Sequence, residues 1–264
     1  MKLTVTLHPA RVTSFLLKIV LTLLVCGCIS SFVRTILRYN TVLGFVPLFD
    51  LNGEANIPSV YSALAIWFSA SLLWYIFMRK KREGNKQAIC WRGLSFVFIF
   101  LGMDELTQIH EKLKTGQQFL SKFINLPESY LYWTVFYGVA LLVFSIWIFR
   151  FYWQLPRATR IRFTIAGITY IAGALGMEIV GGYYERFVLG SPYDTSVGLP
   201  ALGMGGLILV EEGLEMIGIV LFIRAILLYM REYISPVNIT IQSTETSATN
   251  GTALTHETSL TTVE

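Results

Sequence analysis

Charged residues are scarce in this chain. Asp, Glu, Lys and Arg make up 14% of the 264 residues, against roughly 25% in an average soluble domain. Hydrophobic residues account for 54%, and the mean hydropathy is +0.57. This composition excludes a disordered chain and disfavours a water-soluble globule, because so much apolar surface needs lipid as its solvent.

Cysteine and histidine are also scarce. The three cysteines are Cys26, Cys28 and Cys90, and there are three histidines. An odd number of cysteines at these spacings fits neither a disulfide framework nor a zinc site, so free thiols are expected. The net charge of +4 is explained by basic loops at a membrane surface, and no nucleic-acid partner is expected.

Long apolar runs are the main positive feature of the sequence. About 20 helical residues cross the roughly 30 Å of bilayer hydrocarbon. Six runs are long enough, at 13–36, 57–78, 92–111, 130–151, 163–184 and 201–229. The sequence therefore predicts an all-α fold, a polytopic transmembrane helical bundle of six spans at 13–231. Residues 1–12 are predicted to be a cytoplasmic N-terminus and 232–264 a disordered, Ser/Thr-rich cytoplasmic tail.

The distribution of basic residues predicts the orientation. The densest basic run, Arg79-Lys80-Lys81-Arg82, lies between the second and third spans. With both termini cytoplasmic, 15 of the 21 Lys and Arg residues face the cytoplasm, as the positive-inside rule requires. This predicts a multi-pass protein of the cell (inner) membrane. A basic start before an apolar run also fits a signal peptide. A true first span is favoured, because its removal would disturb the alternation of loops between the two sides that the basic residues support.

Acidic residues collect on the opposite side. Twelve of the seventeen Asp and Glu residues fall on outer loops or in the outer halves of spans. A carboxylate within a membrane is costly, so each is expected to face the bundle interior, a partner or water. Several at one depth indicate a site.

The third span carries the first part of that site. Asp104, Thr107, Gln108 and Glu111 share one face of an ideal helix. His110 lies about 120° around the helix from Asp104, so a bent or unwound end would be needed for both to bind one ligand.

The fifth and sixth spans add carboxylates at a similar depth. Glu178 follows a run of small residues that permits close helix contact. Glu211 and Glu215 are one turn apart. Glu105 and Glu212 are expected to point away from the neighbouring acid in each adjacent pair. Such like charges must be protonated, paired with arginine, or neutralised by a cation.

Two other outer-side features bear on the site. Arg34 and Arg38 are candidate counter-ions for the acids or contacts for lipid headgroups. The loop 50–56 carries oxygen side chains at alternate positions but does not match an EF-hand, so it is interpreted as a lid or as the source of one ligand.

These patterns lead to a hypothesis with alternatives. The predicted site is an outward-facing divalent-cation site for Zn, Mn, Fe or Mg. Such an ion would activate water against a lipid-type substrate in a hydrolase. Its candidate ligands are Asp104, Glu111, Glu178, Glu211 and Glu215, with His110 as ligand or catalytic general base. A proton or divalent-cation transporter, a non-catalytic membrane scaffold and a structural network of hydrogen-bonded acids stay open, as do a monomer and a homo-oligomer.

The acidic motifs also support a resemblance. Asp104-Glu105, His110-Glu111, Gly173-Ala174-Leu175-Gly176-Met177-Glu178 and Glu211-Glu212-Gly213-Leu214-Glu215-Met216 resemble those of uncharacterised bacterial six-span membrane proteins, over most of 12–231. The resemblance implies the fold and no activity. The chain departs from metal-dependent amidases of the alkaline ceramidase type, since it has no His-x-x-x-His and only His110 matches their chemistry.

Overall fold

A computed structural model describes seven parts of the chain: 2–5, 8–53, 56–107, 109, 132–189, 199–234 and 239–242. Helices form most of these residues. In chain order, the longer elements are β1 (Lys2–Val5), α1 (Pro9–Thr35), α2 (Phe45–Leu48), α3 (Ile57–Arg82), α4 (Ala88–Thr107), α5 (Tyr132–Gln154), α6 (Arg157–Leu189), α7 (Leu199–Tyr233) and β2 (Ile239–Gln242).

Local sequence signals explain where the helices begin. Pro9 occupies the first turn of α1, where its missing N–H costs no hydrogen bond. Before α3, the Ser59 backbone N–H donates to the Asn56 side chain at 3.1 Å, and the Asn56 backbone N–H donates to the Ser59 hydroxyl at 3.0 Å. This capping box satisfies helix-end donors that would otherwise be unpaired.

Five of the described helices are long and apolar enough to cross a membrane: α1, α3, α5, α6 and α7. The chain is therefore a helical protein suited to a membrane, and five of the six predicted apolar runs coincide with these helices. The remaining run corresponds to α4, which has 20 residues. Every 18-residue stretch of α4 contains Arg92, Asp104 and Glu105, whereas each of the other five helices has an apolar stretch of that length with at most two charged residues.

Helix α7 packs against α1, α3 and α6. It runs antiparallel to α1 and α6, and α4 runs antiparallel to α3. In the α3–α4 pair, the Ser95 hydroxyl donates to the Ala70 carbonyl at 2.8 Å. In the α1–α7 pair, Lys18 and Arg224 line one groove, whereas Ser31 lies against Gly205. The start of α1 and the end of α7 therefore lie at the same end of the bundle.

Large aromatic side chains attach α5 to the bundle. Phe151 packs edge-on against Trp91 with ring centroids 5.0 Å apart, and Trp147 lies so close to Gly93 that a β-carbon there would be 2.9 Å from the Trp147 ring atom Cζ3. The face of α5 that points away from the bundle is exposed, and its Phe136 side chain is 63% exposed. Contacts through ring tips keep the α5 backbone at a distance from its neighbours.

The main core lies toward the end of the bundle where α1 begins. Trp91 is only 1% exposed, and Leu73, Ile76, Ile223 and Ile226 are fully buried. These residues come from α3, α4 and α7, so one apolar cluster joins three helices.

The segments at the two ends of the chain pair with each other. Strands β1 and β2 are antiparallel, with Lys2 opposite Gln242 and Val5 opposite Ile239. Four residues of 232–264, for which the sequence predicts disorder, thus form a strand, and α7 extends to Tyr233. Residues 243–264 lie outside the described residues.

Candidate functional site

Helices α4, α6 and α7 bring their acidic side chains together around Tyr170. The Tyr170 hydroxyl interacts electrostatically with Glu215, Glu105, Asp104 and Glu212. Glu215 in turn interacts with Glu212, Glu105, Glu211 and Glu178. We call these six acids the carboxylate cluster: Asp104, Glu105, Glu178, Glu211, Glu212 and Glu215.

Two glycines allow α6 and α7 to approach closely at this cluster. A β-carbon built on Gly173 would lie 2.8 Å from both the Glu211 carbonyl oxygen and the Glu215 Cγ. A β-carbon on Gly218 would lie 2.7 Å from the Tyr170 backbone nitrogen. Any larger residue would push the helices apart, so the predicted packing role of the small residues beside Glu178 is also visible in the structure.

The α6 helix changes its winding at the cluster. It is α-helical over Arg157–Ile171 and π-helical over Ala172–Met177, and the α form resumes at Glu178. A second π segment covers Glu185–Leu189. A π turn adds a residue to each hydrogen-bonded ring, and such turns occur frequently at functional sites. The widened turn spans Gly173 and leads directly to Glu178.

Burial differs between the acids. Asp104 is only 7% exposed, and the Tyr137 hydroxyl of α5 lies beside it and interacts with it. Glu105, Glu178, Glu211, Glu212 and Glu215 are half-buried. Asp104 is therefore the least exposed of the six acids.

Three phenylalanine rings lie below the cluster, each from a helix that also supplies acids. Phe98 stacks on Phe222 with centroids 4.5 Å apart, and Phe163 stacks on Phe222 at 4.9 Å. Phe98 lies six residues from Asp104 and Phe222 seven residues from Glu215, whereas Phe163 lies seven residues from Tyr170; each separation is about 10 Å along the helix. The main core continues beneath them with Trp91, whose ring centroid is 6.3 Å from that of Phe163. Among the described residues, the space below the acids is thus filled by apolar side chains.

The structure brings four of the predicted ligands together: Asp104, Glu178, Glu211 and Glu215. His110 and Glu111 lie outside the described residues. In the part of the chain that is described, no group of three or more His, Cys, Asp or Glu side chains is arranged to hold a metal ion. The metal site and its full ligand set stay predictions.

The sequence pattern gives no site role to Tyr137 and Tyr170, and it predicts that Glu105 and Glu212 point away from the neighbouring acid. Both glutamates nevertheless interact with Glu215, and Glu212 is one turn from Glu215 and shares that face. Tyr170 carried a signal of the same kind, since it precedes Gly173 by three residues and Glu178 by eight. No comparable pattern links Tyr137 to Asp104, because they belong to different helices.

Arg34 is a counter-ion, as the sequence predicts, but its partner is an acid of the loop 50–56 and not of the carboxylate cluster. Its guanidinium forms an ion pair with Asp50. The Asn56 side chain donates to the carbonyls of Asp50 and Gly53, both at 2.6 Å. The loop after α2 is thus held by Asn56, and Asp50 neutralises Arg34.

Comparison with known proteins places the whole bundle in one family. Residues 15–230 match the model of a family described as a domain of unknown function (DUF8692). No curated protein and no solved structure matches the chain. The matched residues run from the first turns of α1 almost to the end of α7 and include the entire carboxylate cluster. The chain therefore belongs to the DUF8692 family.

Proposed function

We propose that the protein crosses a bacterial cell membrane six times, with both termini cytoplasmic. The antiparallel contact between α1 and α7 supports this proposal, because it places the start of one and the end of the other on the same side. An even number of crossings is then required, and the five apolar helices supply an odd number. The sixth crossing is α4, whose 20 residues span about 30 Å. The basic run at Arg79–Arg82 lies at the same end and marks the cytoplasmic side.

The function that this arrangement supports best is binding of a divalent cation at the outward-facing carboxylate cluster. The observation that carries the proposal is the convergence of acids from three helices around Tyr170, above a layer of stacked rings. Clustered carboxylates cannot all be charged in a low dielectric unless positive charge accompanies them. Oxygen ligands favour Mg or Mn, and a histidine extends the choice to Zn or Fe.

A metal-dependent hydrolase is the chemistry we assign to this site. A bound ion would promote deprotonation of water for attack on an ester, amide or phosphate. His110, which lies outside the described residues, is the proposed general base or a ligand, and Glu111 is a proposed ligand. A lipid-type substrate fits a site within the membrane, because such a substrate can enter sideways from the surrounding leaflet.

The cation proposal is tested by metal analysis of the purified full chain after incubation with Mn or Zn and removal of excess ion. Wild type should retain a stoichiometric ion, and Asp104→Asn/Glu215→Gln should lose it. Glu232→Gln is the matched control, because Glu232 lies on the same helix but pairs with Arg162 at 2.9 Å. Absence of bound ion in wild type, or equal retention in the double variant, would overturn the proposal.

Hydrolysis is tested separately, by incubating the metal-loaded protein with bacterial lipid extract and following products by mass spectrometry. Products should appear with wild type and should disappear with His110→Ala. Retained metal without any product would leave the cation site intact and remove the hydrolase assignment.

Cation or proton transport is the second candidate, and the π segments of α6 favour it. A π turn can convert to α geometry by a one-residue shift, which would move Glu178 relative to the Phe163 layer. Transport would require the ring layer to open. Flux of Mn or protons into liposomes that is abolished by Glu178→Gln would favour this candidate over the hydrolase.

A further inference from the structure

A groove between α1 and α7 lies on the opposite half of the bundle from the carboxylate cluster. Its volume is about 390 Å³. Basic, hydroxyl and apolar side chains line it together: Thr13, Ser14, Leu17, Lys18, Leu21 and Arg224. Ala10 also lines the groove, so the groove begins within the first turn of α1, where the Thr13 hydroxyl donates to the Pro9 carbonyl at 2.7 Å.

Two cations are exposed in this groove, within helices long and apolar enough to span a membrane. Lys18 lies in the span Pro9–Thr35 and Arg224 in the span Pro200–Tyr233, and both side chains are exposed. On a membrane helix an exposed side chain faces lipid, where a lone cation is unfavourable. Long basic side chains reach toward the headgroup region to avoid that cost.

The cations form two tiers along the α1–α7 contact. Arg11 precedes Lys18 by seven residues, and Arg231 follows Arg224 by seven. A separation of seven residues returns to nearly the same helix face, about 10.5 Å along the axis. All four side chains are exposed, and within the described part of the chain none of them forms an ion pair. The acid next to Arg231, Glu232, accepts hydrogen bonds from Arg162 instead.

We propose that this groove binds an anionic phospholipid of the leaflet at the α1 start, which is the cytoplasmic leaflet in the proposed orientation. The phosphate would lie between the tiers, approached by Lys18 and Arg224 from one side and by Arg11 and Arg231 from the other. The exposed Leu17 and Leu21 provide apolar contact for an acyl chain. Basic pockets between helices on the cytoplasmic side are suited to anionic headgroups.

Lipid titration of the detergent-purified full chain, followed by native mass spectrometry, tests this proposal. Phosphatidylglycerol should bind with a lower Kd than phosphatidylcholine. The variant Lys18→Gln/Arg224→Gln should weaken phosphatidylglycerol binding by about 30-fold. Each basic residue near the surface contributes about 1 kcal/mol, and the loss of two corresponds to that factor in Kd. Phosphatidylcholine binding should be unchanged.

A matched control removes the same charges elsewhere at that end of the bundle. Arg82→Gln/Lys86→Gln exchanges one Arg and one Lys, both exposed, and should bind phosphatidylglycerol as wild type does. The exchange Lys18→Arg/Arg224→Lys should retain binding, which separates loss of charge from loss of folding. Equal Kd values for the two lipids, or equal losses in the groove and control variants, would overturn the proposal. Competition by millimolar inorganic phosphate alone would also overturn it, since that would identify a free-anion site.

Discussion

Gly173 of α6 lies directly against Glu215 of α7. A β-carbon at Gly173 would be 2.8 Å from the Glu215 Cγ and 3.0 Å from its backbone nitrogen. The absence of one side chain thus sets the distance between two acid-bearing helices. Because Gly173 belongs to the π segment Ala172–Met177, the unusual winding and the close approach occur at the same place.

Replacing Gly173 by alanine is predicted to damage the carboxylate cluster. The added methyl group would force α6 away from the α7 backbone, and the cost of such overpacking is about 1–3 kcal/mol. The Tm of the detergent-solubilised protein should fall, and retention of Mn or Zn should weaken. Thermal unfolding and metal analysis measure the two effects on the same samples.

Gly167→Ala is the matched control for this prediction. Gly167 is on the same helix, and a β-carbon there would meet no atom within 4 Å. Alanine also favours the helix over glycine, so stability should be unchanged or slightly raised. Equal losses in the two variants would show that the Gly173 contact has no special role.

The Phe222 ring is predicted to maintain the layer below the acids. Phe222→Ala would remove the ring that both Phe98 and Phe163 stack on. We expect a loss of about 1–3 kcal/mol, less than the 3–5 typical of a soluble core, because lipid tails can replace part of the lost contact. Phe136→Ala on α5, where the ring is 63% exposed, should cost less than Phe222→Ala. Equal shifts in the unfolding midpoint would contradict the prediction.

The ion pair between Arg34 and Asp50 should contribute measurably to stability. The Arg34 side chain is 36% exposed and that of Asp50 is 17% exposed, so solvent screens the pair only in part. A double-mutant cycle with Arg34→Gln and Asp50→Asn is expected to give a coupling of about 1–2 kcal/mol, between surface and buried values. The pair of Lys80 with Glu83, which are three residues apart at the end of α3 and of which Glu83 is 49% exposed, should give about 0.3–0.5 kcal/mol by the same measurement, as is typical of pairs one helical turn apart. A coupling no larger than that would show that the Asp50 loop is held by Asn56 alone.

Apolar run length was sufficient to predict most of the helices. The run 57–78 corresponds to a helix that begins at Ile57, because Asn56 and Pro58 give an unambiguous start. The run 163–184 begins six residues late, since the charged Arg157, Arg160 and Arg162 of α6 interrupt the apolar pattern. A helix can include charged residues wherever their side chains reach water or an oppositely charged side chain. The length of an apolar run does not show whether such a contact exists.

The candidate site was predictable only within each helix. Periodicity placed Glu211 and Glu215 on one face, because that relationship is local. It did not show that Tyr170 would lie among acids from α4 and α7, since contacts between helices depend on packing. The π segment was equally hidden, because its sequence resembles any stretch of small residues; in the structure it coincides with the contact between Gly173 and α7.

The number of crossings can be decided by labelling single cysteines with a membrane-impermeant maleimide on intact cells. The background replaces Cys26, Cys28 and Cys90 with alanine. Asn40→Cys, after α1, should react on intact cells, whereas Lys86→Cys, between α3 and α4, should react only after permeabilisation. Both positions are exposed in the structure, so differences in labelling report the side of the membrane.

A third position tests α4 itself. Ser121 lies between α4 and α5 in the sequence, and Ser121→Cys should react on intact cells if α4 crosses the bilayer. If α4 does not cross, Ser121→Cys should instead match Lys86→Cys. The antiparallel packing of α4 on α3, with Ser95 donating to Ala70, leads us to expect the first result. Because α4 supplies Asp104 to the cluster, that result would also place this buried acid on the outward-facing half of the membrane.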